Sequence, residues 1–372
     1  MMKIPFLRPN LVKLSGFKGY LSQIEKTNWY SNYGPLNTFF EKRIMNEFYD
    51  STGSVTTVNN ATIGLMLAIN EIKRPHGRFA LMPSFTFSAA PLAAMWCGLE
   101  PYFVDIKDDD WCMNEELIKE LLEKLGDEVA VVMPYATFGA NLDLTFYQRV
   151  QDSGVPVVID AAASFGAAGV NGSFGKGFTG FVVFSFHATK PFGIGEGGLV
   201  YSADKALISK IRQAGNFGFS ENRETTLQGL NSKLSEYAAA IALATLDVFS
   251  EKIHLRKRIY QWYLEELEKM LFFERGWKVQ KTGGEIVRQF MPLLCPSSQS
   301  NITFLKLLAD HHIEARNYFF PPCHQQSLFR SFSQTTMSVT NNKSCCILSL
   351  PLWEKMKKND VIKIIQVISE GG

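Results

Sequence analysis

The chain has 372 residues, 38 Lys and Arg against 36 Asp and Glu, and a net charge of +2. That length can bury a large core and form more than one domain-sized unit, while the near-neutral charge excludes the basic footprint of a nucleic-acid binder or a polybasic membrane patch. The six cysteines (Cys97, Cys112, Cys295, Cys323, Cys345 and Cys346) form no C-x-x-C pair and no zinc-like spacing, so reduced thiols, no metal and a cytoplasmic setting are expected. No apolar stretch approaches the roughly 20 residues that span a bilayer, so no membrane partner is expected.

From Arg78 onward, short apolar or β-branched runs bounded by turn residues predict strands over Arg78–Met82, Pro101–Ile106, Val129–Pro134, Val155–Asp160, Phe181–Phe186 and Gly198–Ser202. Helical patterns fill the gaps, among them Asn114–Leu125 and Asp143–Ser153. Strand and helix thus alternate from about residue 55 to 215, the pattern of an α/β domain with a mainly parallel sheet. Leu234–Met270 is a long stretch rich in good helix formers, with no proline and no glycine, and is expected to bridge two domains. The remainder suits a smaller α+β domain with helices over Asn301–His311 and Asn359–Ile368, and with loops over Cys295–Ser300 and Ser331–Ser344. The expected division is a large domain over 1–245 and a small one over 246–372.

Open α/β sheets bind ligands beyond the carboxyl ends of their strands. Three strand ends carry suitable chemistry. Asp160 tips an apolar strand and is followed by three alanines. Phe184 to Gly198 runs from a strand through Ser185, His187 and Lys190 into a glycine-rich loop. Pro83 to Ala89 is aromatic and small. A desolvated lysine can condense with an aldehyde, and a strand-tip acid can keep a pyridine nitrogen protonated, which are two demands of pyridoxal 5′-phosphate (PLP). The glycines around Lys190 match neither a P-loop nor a dinucleotide fingerprint. Gly172 to Gly177 reads as a surface hairpin, His187 as a packed structural histidine, and His311-His312 as a helix end rather than a metal site.

Ser185 to Lys190, followed by Gly195-Glu196-Gly197-Gly198, resembles the lysine signature of the DegT/StrS nucleotide-sugar aminotransferases, which are fold-type-I PLP enzymes. Further resemblance lies at Asn28–Pro35, Pro83–Ala89, Phe103–Ile106, Pro134 with Gly139, Asp160–Ala162 and Gly229–Glu236, with an echo at Tyr318–His324. It implies that Lys190 carries the cofactor and then moves protons, and that Asp160 pairs with the pyridinium nitrogen. It also implies that Phe87 stacks on the ring, and that Asn60, Ala61, Thr62 and Ser185 hold the phosphate, with Asn231 reaching across from a second subunit of a homodimer with shared active sites. Tyr33, Tyr318 and His324 are the candidate substrate contacts. Two positions depart from the family pattern: Ala61 stands where glycine is usual, and Ala163 where many members carry His or Gln. The expected reaction moves an amino group from L-glutamate to a keto group of a nucleotide-linked sugar, with C4 of a dTDP-linked 6-deoxyhexose (as in dTDP-4-keto-6-deoxyglucose) favoured. A 3-keto substrate and a catalytically idle, regulatory member of the fold are the alternatives.

Overall fold

The computed structural model describes residues 3–169 and 171–371. The chain enters through α1 (Leu14–Thr27) and α2 (Pro35–Phe48), then alternates β1 (Ser54–Val58), α3 (Ala61–Ile72), β2 (Phe79–Pro83), α4 (Ala89–Trp96), β3 (Glu100–Val104), α5 (Glu115–Leu125), β4 (Val129–Val132), α6 (Leu144–Asp152) and β5 (Val158–Asp160). A two-residue hairpin, β6 (Ala168–Gly169) with β7 (Gly172–Ser173), precedes β8 (Phe181–Ser185), β9 (Gly198–Ser202) and α7 (Lys205–Ala214). Two helices follow, α8 (Glu236–Asp247) and α9 (Phe249–Lys269), then β10 (Lys278–Val279), β11 (Met291–Leu294), α10 (Asn301–Asp310), α11 (Ser338–Cys346), β12 (Ile347–Leu350) and α12 (Lys358–Ser369).

Strands β3-β2-β4 and β5-β8-β9-β1 form two ladders. They meet through parallel bridges Val132–Val157 and Tyr135–Asp160, giving a seven-stranded order β3-β2-β4-β5-β8-β9-β1. Only β9 runs against its neighbours in this sheet. That reversal sets Gly198, the first residue of β9, opposite both Ser185 and Val58 at the carboxyl edge. The mainly parallel sheet expected from the alternating pattern is therefore present.

Both faces of the sheet are covered, and residue parity decides which face each side chain serves. Ile159, Val182, Phe184, Leu199 and Tyr201 join the core shared with α2 and α8. Their neighbours Val158, Val183 and Val200 join the core under α3, α4 and α7. A third core lies around β11, β12, α10 and α12, and it includes Ile4 and Phe6 from the amino-terminal segment. The chain start therefore packs with the carboxyl-terminal part, tied there by the Ile4–Ile313 bridge.

The helix-forming stretch 234–270 folds as two helices, α8 and α9, which part at Val248 (φ −116°, ψ 7°). No glycine or proline causes the break. Phe249 instead turns into an aromatic cluster with Phe165 and Phe192. Residues 331–344, expected as loop, contain the start of α11. Asp105 accepts the Val339 and Thr340 amides (2.9 and 2.8 Å) and the Thr340 hydroxyl at 2.7 Å, so a carboxylate from the end of β3 anchors that helix start.

Candidate active site

Lys190 sits in a closed loop between β8 and β9. The Phe186 amide donates to the Gly197 carbonyl at 2.9 Å, Ala188 to Gly195 at 2.7 Å, Ile194 to Phe186 at 2.9 Å and Lys190 to His187 at 2.8 Å. Gly195 allows the return because its φ is +108°, where side chains are strained. Phe186 and Phe192 pin the loop by packing on Phe40 and Phe165. Each fully buried phenyl of this kind contributes about 1.5–3 kcal/mol, so the lysine is carried on a rigid support.

Asp160 is held at the tip of β5: its amide donates to the Pro134 carbonyl and its carbonyl accepts from Ala136, both at 2.9 Å. Asp160 is 3% exposed. Burial pushes its pKa up to about 6, against the pull of the Ala162 amide and of the Lys190 charge. The same desolvation pushes the Lys190 amine down to about 8, opposed by Asp160. Each group thus responds to the charge of the other. Lys190 Nζ donates to Gln289 Oε1 at 3.1 Å, a residue that the sequence reading missed.

The amino terminus of α3 lies at the same edge. Asn60 caps it by accepting the Ile63 amide at 2.9 Å. The preceding first-turn amides, those of Ala61 and Thr62, belong to the donors a helix cannot satisfy internally. A Cβ added at Gly198 would stand 3.0 Å from the Ala61 nitrogen and 2.9 Å from the Phe184 carbonyl oxygen. Glycine there lets the sheet approach this turn. Ser185 is 9% exposed, and its hydroxyl accepts the His187 amide at 3.3 Å. Asn59 Oδ1, Thr86 Oγ1 and Ser164 Oγ are buried without a hydrogen-bond partner. These orphans sit on the turns after β1, β2 and β5, where a polar ligand would satisfy them.

The structure gathers Lys190, Asp160, Ser185 and the Asn60–Thr62 turn at one sheet edge. Phe87 lies on the turn after β2 and is 63% exposed, and Asn231 is exposed on the loop before α8. The three substrate candidates all make internal contacts. Tyr33 donates its hydroxyl to the Arg212 carbonyl at 3.1 Å, with the guanidinium 3.8 Å from its ring centre. Tyr318 packs on Phe6 and Phe290. His324 is 8% exposed and pairs through Nδ1 with Ser84 Oγ at 2.6 Å and through Nε2 with Asn341 Oδ1 at 3.1 Å. His187 pairs with Thr189 Oγ1 at 2.8 Å.

A partly buried amine with a depressed pKa, a buried carboxylate whose charge acts on it, and a helix start open to an anion fit PLP. The sequence profile of the DegT/DnrJ/EryC1/StrS aminotransferase family matches residues 15–369. The chain belongs to this family. The crystal structure of a putative PLP-dependent aminotransferase from Bacillus cereus is 49% identical and superposes with a TM-score of 0.97, covering 98% of this chain and 99% of that one. Protein Rv3402c of Mycobacterium tuberculosis is 31% identical, covering 99% of this chain and 90% of its own length. The dTDP-4-amino-4,6-dideoxy-D-glucose transaminase of Escherichia coli is 27% identical over 98% of both chains.

Membership makes the protein a PLP-dependent aminotransferase of fold type I. When bound, PLP supplies an electron sink for carbanion chemistry. Among the described residues no cluster of His, Cys, Asp and Glu could hold a metal ion, and no helix is long and apolar enough to cross a membrane.

Proposed function

We propose that the protein transfers an amino group from L-glutamate to the C4 keto group of a dTDP-linked 6-deoxyhexose, with Lys190 as the cofactor lysine. The observation that carries the assignment of the lysine is its place in the loop that follows β8, next to the strand β5 that holds the buried Asp160 at its tip. Asp160 is proposed to face the pyridine nitrogen, where a cation would return its carboxyl to the ionised form. Phe87 is proposed to stack on the ring, and the amides of Ala61 and Thr62, with Asn60 and Ser185, to hold the phosphate.

Lys190 Nζ then takes and returns the proton at the substrate carbon that loses or gains nitrogen. A pKa of about 8 keeps an appreciable fraction of free base near neutrality. A homodimer with shared sites is proposed, in which the exposed Asn231 reaches the partner's phosphate. Trp29 at 49% and Tyr237 at 52% exposure supply apolar surface for such a contact. Tyr33, Tyr318 and His324 are proposed to shape the sugar pocket from their packed positions.

The Escherichia coli relative, whose name specifies a 4-amino sugar, supports the C4 and dTDP assignments. The test is to incubate the protein with glutamate and a panel of dTDP- and UDP-linked 3-keto and 4-keto sugars, and to identify products by mass and NMR. A 4-amino dTDP sugar is expected. Turnover confined to 3-keto sugars, or to UDP-linked sugars, overturns the assignment.

A further inference from the structure

Gln289 comes from the irregular segment before β11, 99 residues from Lys190 in sequence. The residue is 8% exposed, and its side chain reaches two residues of the lysine loop: Oε1 accepts from Lys190 Nζ at 3.1 Å, and Nε2 donates to Thr189 Oγ1 at 3.4 Å. Thr189 is in turn paired with His187. The backbone behind Gln289 is also fixed, because Arg256 Nη1 donates to the carbonyls of Arg288 and Gln289 at 2.9 and 3.3 Å. Arg256 is itself locked at 2.8 Å to the buried Glu354. Position 163, three residues after Asp160, is alanine and offers no polar side chain; the amide that meets the lysine belongs to the segment before β11.

We infer that Gln289 is a positioning residue for Lys190: its carbonyl oxygen holds the amine in place whenever that amine is not joined to the cofactor. The inference rests on Lys190 being the cofactor lysine. An acceptor at this distance is bound more strongly by the ammonium than by the neutral amine, so Gln289 both orients Nζ and raises the pH at which it becomes nucleophilic, beside the effects of burial and Asp160. The charged group that acts on this nitrogen is Asp160 from β5, and Arg8 from the amino-terminal segment, Lys252 and Arg256 from α9, and Glu354 after β12 line the same cavity as Lys190. All of them stay unchanged in the variants below.

The experiment uses the full-length protein stripped of cofactor and follows recombination with PLP by absorbance from about pH 6 to about pH 10. Gln289→Leu lowers the pH midpoint and slows the plateau rate by about tenfold, since an acceptor for a charged group and its orientation are both lost. Gln289→Glu keeps the size and the acceptor but adds a charge, and raises the midpoint by about one unit or more. A merely structural role predicts no such opposition. Midpoints that stay put, or that move in the same direction in both variants, overturn the inference. Covalent uptake of PLP by Lys190→Ala would instead overturn the lysine assignment beneath it, so the two failures are distinguishable.

Discussion

Two arms meet at the Lys190 nitrogen and are made rigid by different physics. The loop between β8 and β9 is held by backbone hydrogen bonds and by a cluster of phenylalanines, Phe40, Phe165, Phe186 and Phe192, with Phe249 closing it. The segment carrying Gln289 is held by a buried ion pair, Arg256 with Glu354, whose side chains are 6% and 3% exposed. An apolar clamp is tolerant of pH and salt and fails by leaving a cavity. A charged clamp is exacting, because removing one partner strands the other in a medium that cannot solvate it. The amine is therefore aimed by a part that is hard to perturb electrostatically and by a part that is easy.

That contrast can be broken by substitution. Arg256→Met leaves the Glu354 carboxylate buried and alone, and is expected to cost about 3–5 kcal/mol in urea unfolding. The double variant with Glu354→Leu recovers most of the loss. Phe192→Ala costs a similar ~3–5 kcal/mol through its cavity, but no single second substitution restores it, and its loss is independent of salt. If the Arg256 single and double variants were equally unstable, the ion pair would not be the clamp. Gly195→Ala is expected to cost about 1–3 kcal/mol, because a Cβ is forced onto a backbone at φ +108°.

A smaller effect comes from the β5 carboxylate that acts on the nitrogen where the arms meet, and it is read by pH. The Asp160 carboxyl has its folded pKa raised from 3.8 to about 6, so the folded state binds the proton more tightly than the unfolded one. Stability from this group is complete below pH 3.8 and is lost as the pH rises through about 6. Comparing urea midpoints of the cofactor-free wild type and Asp160→Asn across that window should show a falling contribution in the wild type only. A matching slope in the variant would assign it to other groups. The mildest change is Phe87→Ala. With 63% of Phe87 exposed, stability should move by less than about 0.5 kcal/mol. PLP affinity should fall by about fivefold, the loss of one ring contact. Unchanged affinity would remove Phe87 from the cofactor site.

The legible parts of the molecule were those whose signals are local in sequence. Short β-branched strands, Asp160 at a strand tip and the Lys190 loop with its glycines all declare themselves within about fifteen residues. Helix α11 did not, since Ser338–Cys346 is poor in strong helix formers. Its start is anchored by Asp105, 235 residues before Thr340. Gln289 was equally silent, because it lies in an irregular segment and gains its meaning only when the third core brings it over the lysine loop. The break at Val248 has the same origin: aromatic packing in space, with no local residue that marks it.

The proposed chemistry requires one lysine to bear the cofactor, and reduction tests this directly. The PLP-loaded protein is treated with borohydride, digested, and its peptides mapped by mass spectrometry. The expected result is a single reduced-cofactor adduct on the peptide containing Lys190, absent from Lys190→Ala. An adduct on any other lysine, or none from a protein that still binds PLP, would contradict it.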